Sequence, residues 1–240
     1  MLENIVLSRV LFLDIETVPA YSSYYQLDDK FKKLWDKKAA NLHKTETKSD
    51  IENSAETLYE RAGIYAEFGK IICISTGFIK ENSFRIKSFY GDNEKQLLTE
   101  FAEMLSSYFN TLNHFLCAHN GKEFDYPFIA RRMLIHGIKL PVLLDIAGRK
   151  PWEISHLDTM ELWKFGDYKC YTSLELLSAL FGIPTPKNDI DGSQVRSVYY
   201  NEKDLERIVT YCQKDTLTVA QLLLRYRGEE MIKEENVVVI

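Results

Sequence analysis

Apolar residues crowd the stretch 5–15 (IVLSRVLFLDI), which is short enough for a buried strand, and Pro19 ends it. From 21 to 66 the pattern changes. Lys, Glu, Asp, Asn and Thr dominate there, with Tyr, Leu, Phe and Trp at helical spacing. That spacing predicts helices near 28–42 and 51–62 around a polar break at 43–50, a helical insertion on the sheet edge. Residues 70–80 and 83–90 predict two strands of a hairpin, and in the second Phe84 and Ile86 alternate with Arg85 and Lys87. Asn93 and Gln96 form a capping-box pattern before a helix with Leu97, Phe101, Met104, Leu105 and Tyr108 along one stripe. Residues 114–118 predict a short buried strand. A helix follows over 124–136 and stops at Gly137. The stretch 151–158 is ambiguous, read as a last strand running into a helix near 158–164. Thr172 and Glu175 form a second capping box for a helix that ends at Gly182. Residues 183–193 read as a loop, and a long helix spans 202–226. The tail GEEMIKEENVVVI is charged and then apolar; it is free or pairs with a strand edge.

This order predicts an α/β fold, a mixed five-stranded sheet flanked by helices, with the insertion at 21–66 after the first strand. The expected organisation is one domain over 1–228 and a tail over 229–240. An apolar content of 45% is enough for a sizeable core. No apolar run reaches the roughly 20 residues of a membrane span. The N-terminus lacks a basic leader and reads as a strand. Cys73, Cys117, Cys170 and Cys212 show no CxxC spacing, which fits free thiols and a cytoplasmic location. The net charge of −5 disfavours non-specific binding to a polyanion, unless bound cations reverse its sign locally.

Four acids lie in three separate segments: Asp14 and Glu16 in LFLDIET, Asp125 in AHNGKEFDYPF, and Asp215 in YCQKD. Two apart on a strand, Asp14 and Glu16 share a face and repel, which calls for a cation; past the end of a strand they would simply be solvated. Asp125 falls in the first turn of a helix, where the dipole alone would favour an acid, and also beside the end of a strand, where sites in open sheets form. Tyr211 and Asp215 share a helix face. The stripe Ile208, Tyr211, Asp215, Val219 points Asp215 inward, where a carboxylate requires a partner. His119 reads as a structural histidine, and Phe124 and Phe128 as core residues, although one of the rings could stack on a base. Lys122, Arg131, Arg132, Lys164 and Lys169 are surface charges that could also meet phosphates.

Taken together, D-x-E-T at Asp14, Glu16 and Thr17, Asn-x(3)-Phe-Asp at Asn120, Phe124 and Asp125, and Tyr-x(3)-Asp at Tyr211 and Asp215 resemble the tyrosine subtype of the DEDD 3′–5′ exonucleases. AEFGKIICISTGF, SLELLSALFGIP and DGSQV bring the resemblance closer to stand-alone bacterial exonucleases related to the proofreading domain of family-B DNA polymerases. The resemblance implies a ribonuclease-H-like fold, with no polymerase region. It implies two Mg²⁺ or Mn²⁺ ions on Asp14, Glu16, Asp125 and Asp215, with Asp14 bridging, and a water oriented by Tyr211. Thr17 and Asn120 would hold the terminal nucleotide. The implied substrate is nucleic acid with a free 3′ end, single-stranded DNA first, releasing nucleoside 5′-monophosphates. The alternatives are an RNA-trimming enzyme of ribonuclease D type and a non-catalytic nucleic-acid-binding module of the same fold.

Overall fold

The structure, a computed structural model, describes residues 2–45, 54–167, 169–184 and 189–240, the side chains of 43–45 and 151 excepted. Its strands are β1 (Val10–Pro19), β2 (Gly69–Lys80), β3 (Ser83–Tyr90), β4 (Phe115–Ala118), β5 (Leu157–Asp158) and β6 (Val237–Val239). They form one sheet in the order β5-β4-β1-β2-β3-β6. β1 is antiparallel to β2 and β2 to β3, whereas β4 runs parallel to β1, β5 to β4 and β6 to β3. The sixth strand corrects the expected five. The Val237–Val239 end of the tail pairs with Phe84–Ile86 on the free edge of β3.

The helices are α1 (Asp29–Thr45), α2 (Ala55–Tyr59), α3 (Glu94–Tyr108), α4 (Asp125–Ile135), α5 (Thr159–Lys164), α6 (Leu174–Leu180), the single turn α7 (Val195–Ser197) and α8 (Leu205–Tyr226). Asn93 caps α3 by accepting from the Gln96 N–H, while the Gln96 side chain turns to Glu100 and leaves the capping box half made. Ser173, not Thr172, caps α6 by accepting from the Leu176 N–H. The two hydroxyl residues are adjacent, and the cap falls to the one whose backbone is extended at the helix start.

Alternation along β1 divides the core. Leu11, Leu13 and Ile15 pack with Leu98 and Phe101 of α3 and Ile129 and Met133 of α4. Val10 and Phe12 pack on the other face against Val219, Ala220 and Leu223 of α8. Each side chain buried in this way contributes about 1.5–3 kcal/mol relative to exposure. The insertion has a small core of its own around Trp35, whose ring meets Tyr59 edge-on and whose Nε1–H donates to Ala55 O at 2.7 Å. Its described residues lie mainly against the ends of β1 and β2. It leaves from the end of β1, third in the sheet, where Ala20 N–H donates to Phe68 O, and the sheet edges are β5 and β6. The expected break at 43–50 and the start of the second helix lie partly outside the described residues.

Arg132, expected as a surface charge, is buried. Its Nε and Nη2 donate to Glu94 at 2.8 and 2.5 Å, and its Nη1 donates to Ala66 O. Glu94 also accepts from Ile71 N–H and His136 Nε2, which fastens α3, α4 and β2 together. Burial pushes the Glu94 carboxyl up, but Arg132, the Ile71 N–H and His136 outweigh it and hold the carboxyl below its ordinary value. With the folded value depressed, the stabilisation is complete above the ordinary value of 4.5 and fades as pH falls through the folded one. Glu94→Ala is expected to cost about 3–5 kcal/mol in urea unfolding at neutral pH, because it strands a buried guanidinium. The gap to wild type should narrow only in acid. A loss under 1 kcal/mol would show that the cluster is dispensable.

Candidate metal centre

β4 pairs with β1 only as far as Phe12–Cys117, and β1 runs on without that neighbour. Asp14 and Glu16 lie on this free stretch, on the face turned to α8. In the β2 register they oppose Ser75 and Cys73. A bulge follows at once: Glu16 pairs with Cys73 and Thr17 with Ile71, leaving Ile72 unmatched. Bulges of this kind re-aim side chains next to sites. Thr17 is half-buried just past it.

α8 comes close to these strands because its buried line is made of small residues. That line runs Ile208, Cys212, Thr216, Val219/Ala220, Leu223, so the expected stripe through Tyr211 and Asp215 is shifted by one residue. Cys212 Sγ–H donates to Asp14 O at 3.3 Å, and Thr216 Oγ1–H donates to Ser75 O at 3.3 Å. Tyr211 and Asp215 flank the line, half-buried, with the Tyr211 hydroxyl bonded to the Asp215 carboxylate. Asp125, at the start of α4, is buried and accepts from its own N–H and from that of Ile15 on the free stretch of β1. Three elements thus converge on one crevice.

Asn120 stands in the turn from β4 to α4 with φ +62°, a left-handed conformation that asparagine tolerates. The next residue must be glycine, because a Cβ on Gly121 would lie 2.5 Å from Ala118 Cβ and 2.8 Å from the Tyr126 ring. The turn is fastened by a residue that sequence reasoning missed. Asp158 is buried. It accepts from Asn120 N–H at 2.9 Å, Lys122 N–H at 3.0 Å, Met160 N–H at 3.0 Å and Glu161 N–H at 3.2 Å. One carboxylate therefore caps α5 and holds the Asn120 turn. Its only sequence signal is an acid before a helix, which announces the cap and not the turn. His119 is structural as expected, with Nδ1 on Thr159 Oγ1 and Nε2 on Thr172 O, both at 2.9 Å. Phe124 packs on Phe128, ring centroids 5.4 Å apart, and is half-buried. The DGSQV segment also gains a role. Asp191 and Gln194 close a turn on each other's side, and Ile190, Val195 and Val198 bury against Val18, Ile72 and Ile208 at the end of β1.

The electrostatics are those of crowded buried acids. Burial raises Asp14 well above the ordinary carboxylate range, helped by Glu16, Asp215 and Asp125. Burial raises Glu16 likewise, helped by Asp215, Cys73 and Asp125. Burial lifts Asp125 to about 7, assisted by Asp158 against its two N–H donors, and Asp215 to about 6, against Tyr211 and Lys214. Burial and the neighbouring acids raise Tyr211, so it is a neutral phenol at physiological pH, a donor and not a base. Asp14 Oδ2 is buried with no hydrogen-bond partner. Oxygens of Asp14 and Glu16 lie with Cys212 Sγ within 4.8 Å of one another; Asp125 and Asp215 fall outside that spread but still act on Asp14 through their charge. Burial keeps Cys212 a thiol, its proton engaged by Asp14 O. An orphaned carboxylate oxygen among mutually repelling acids suits a hard divalent cation, which prefers oxygen ligands.

Comparison with known proteins gives the chain a family. Residues 64–236 match a family described as "Predicted 3'-5' exonuclease related to the exonuclease domain of PolB". The chain belongs to that family. It is also 24% identical over 233 residues to a DNA polymerase of Pyrococcus glycovorans, covering 85% of this chain and 28% of the polymerase. The family B DNA polymerase of the archaeon Pyrobaculum calidifontis superposes with a TM-score of 0.50 at 14% identity, over 90% of this chain and 24% of that one. The chain therefore spans about a quarter of the length of these relatives. The likeness establishes the ribonuclease-H-like fold for this member of the PolB-related exonuclease family. No described helix is long and apolar enough to cross a membrane.

Two measurements follow from this geometry. The acids titrate above their unfolded values, so the stability they allow is complete below those values and is lost as pH rises through about 6 to 7. Without divalent ions the melting temperature should therefore fall between pH 5 and pH 8, within about that window. Mn²⁺ should restore it, with a larger gain at pH 8; equal melts with Mn²⁺ and with chelator at both pH values would remove the metal centre. Separately, Asp158→Ala should cost about 1–3 kcal/mol and speed amide exchange at Asn120, Lys122, Met160 and Glu161. Unchanged protection at Asn120 and Lys122 would show that the turn holds without it.

Proposed function

We propose that this chain is a metal-dependent 3′–5′ exonuclease that removes nucleoside 5′-monophosphates from the 3′ end of nucleic acid, with single-stranded DNA as the first substrate. The observation that carries the reading is that Asp14 and Glu16 lie close together, with one Asp14 oxygen buried and unpartnered, within electrostatic reach of Asp125 and Asp215. A non-catalytic binding module gains nothing from such a cluster, since buried like charges cost stability and repel phosphate. The similarity to archaeal DNA polymerases supports DNA over RNA.

Asp14, Glu16, Asp125 and Asp215 would hold two Mg²⁺ or Mn²⁺ ions, which when bound neutralise charge on the phosphodiester and ease deprotonation of the attacking water. The protein's own groups do the rest. Tyr211, fixed by Asp215 and kept protonated by its surroundings, offers its hydroxyl to orient that water. Asn120 presents a buried amide oxygen with no partner, suited to accept from a hydroxyl of the terminal sugar. Thr17, half-buried beside Glu16, would help hold that nucleotide, and Phe124, half-buried just before α4, would meet its base. Cys73 and Cys212 in contact as free thiols fit a reducing cytoplasmic setting.

The deciding experiment uses 5′-labelled DNA and RNA strands with free or blocked 3′ ends, in Mn²⁺ or chelator. Wild type should shorten the free-ended DNA from the 3′ end only when metal is present. Asp14→Asn should lose this activity by about a thousandfold or more, and Tyr211→Phe should lower kcat far more than it raises KM. Full activity in purified Asp14→Asn would refute the assignment.

A further inference from the structure

Two sulfurs adjoin the acids of the crevice. Cys212 Sγ lies within 4.8 Å of an oxygen of Asp14 and an oxygen of Glu16, and those two oxygens lie within the same distance of each other. Among the described residues no other three His, Cys, Asp or Glu donors come this close. Cys73, opposite Glu16 in the β1–β2 register, touches Cys212 and bonds Ser75 Oγ at 3.6 Å. Glu16 is 8% exposed, and its carboxylate accepts no hydrogen bond from the described residues. Asp14 Oδ2 is buried and equally without a partner. Two such oxygens beside a thiol are a donor set that lacks its ligand.

The identity of residue 212 says which ligand. Helix α8 needs a small side chain there, but smallness alone does not select sulfur. Serine would fit and could donate to Asp14 O as Cys212 does. What sulfur adds is affinity for soft ions. Mg²⁺ and Mn²⁺ favour oxygen ligands, whereas thiolate favours Zn²⁺ and its heavier analogue Cd²⁺. Three protein ligands and one open position are a common zinc arrangement. Bonds of about 2.0–2.3 Å put the ligands of a tetrahedral ion roughly 3.5 Å apart, so the three donors need draw in by only about 1 Å.

We propose that Asp14, Glu16 and Cys212 form a site for a thiophilic divalent cation, Zn²⁺ first, which competes with the two hard cations of the four-carboxylate arrangement. Cys212 gives up its proton to water as the sulfur–metal bond forms, and its hydrogen bond to Asp14 O is lost in exchange. An ion held there engages Asp14 and Glu16 and leaves out Asp125 and Asp215, which lie beyond the group. Zinc would thus silence the centre without unfolding it. The coordination stands without the exonuclease reading; the silencing rests on it.

The test reads sulfur–metal bonding directly. Cys170, half-exposed in the segment before α6, is replaced by serine throughout so that it adds no signal. Titration of this protein with Cd²⁺ should raise the ultraviolet charge-transfer band of a cadmium–thiolate bond. Cys212→Ser should abolish the band and Cys73→Ser should keep it. Glu16→Gln should weaken Cd²⁺ binding about tenfold or more. The cadmium NMR shift of the loaded protein should report one sulfur ligand, a readout that needs no change at 212. Relative to each protein's own rate on single-stranded DNA in Mn²⁺, Zn²⁺ should inhibit at about a tenth or less of the concentration that the Cys212→Ser protein requires. No charge-transfer band, a band that survives Cys212→Ser, or a cadmium shift without sulfur overturns the site. Equal Zn²⁺ inhibition of both proteins overturns the competition. A protein that shows the band but digests nothing in Mn²⁺ keeps the site and loses the exonuclease reading.

Discussion

The structure is organised around mutual repulsion among carboxylates that the fold nevertheless buries. Asp14, Glu16, Asp125 and Asp215 each sit where burial disfavours ionisation, and Glu16, Asp125 and Asp215 all make it harder still for Asp14. A protein gains no stability from such an arrangement, and left to itself would neutralise the acids with protons. The sheet, the bulge and the placement of α8 make sense as the means of holding these groups in position for something positively charged.

Three local devices do the holding. β4 is shorter than β1, so the middle of the central strand has one free flank, and Asp125 enters there to meet the Ile15 N–H that β4 leaves unpaired. The bulge at Ile72 resets the register after Glu16 and lets the end of β1 turn toward the insertion and the 189–202 segment. The small residues Cys212 and Thr216 let α8 approach until their side chains bond strand carbonyls, which brings Tyr211 and Asp215 beside Asp14 and Glu16. A larger residue at position 212 would push the helix off the sheet and pull Asp215 away with it.

Much of this could be read from residue patterns. The hairpin 69–90, helices α3, α4 and α8, and all four acids follow from alternation, helical periodicity and charge in apolar surroundings. The failures have physical causes. β5 has two residues, which leaves 151–158 ambiguous although a strand does end it, and β6 has three, too few for a period to register, and exists only because β3 offers it an edge. The buried line of α8 was misplaced by one residue because Tyr211 competes with the smaller Cys212 as an apolar marker and hydropathy does not mark Thr216 as core. Asp158 goes unmarked in the sequence because its task of holding a turn 38 residues earlier is a tertiary contact with no local signature.

An overall charge of −5 sits awkwardly with a polyanionic substrate until the charges are located. The central acids lie in the crevice, where bound cations would reverse their sign. The two lysines beside Asn120 are already paired with glutamates, so they add little unbalanced positive charge. In the proposed reading, affinity would come from the bound cations, which act only where the acids converge. Weak attraction to nucleic acid in general and firm hold on a correctly placed 3′ end are what a trimming enzyme requires, since a uniformly basic surface would hold it along the interior of the strand, away from the end it cuts.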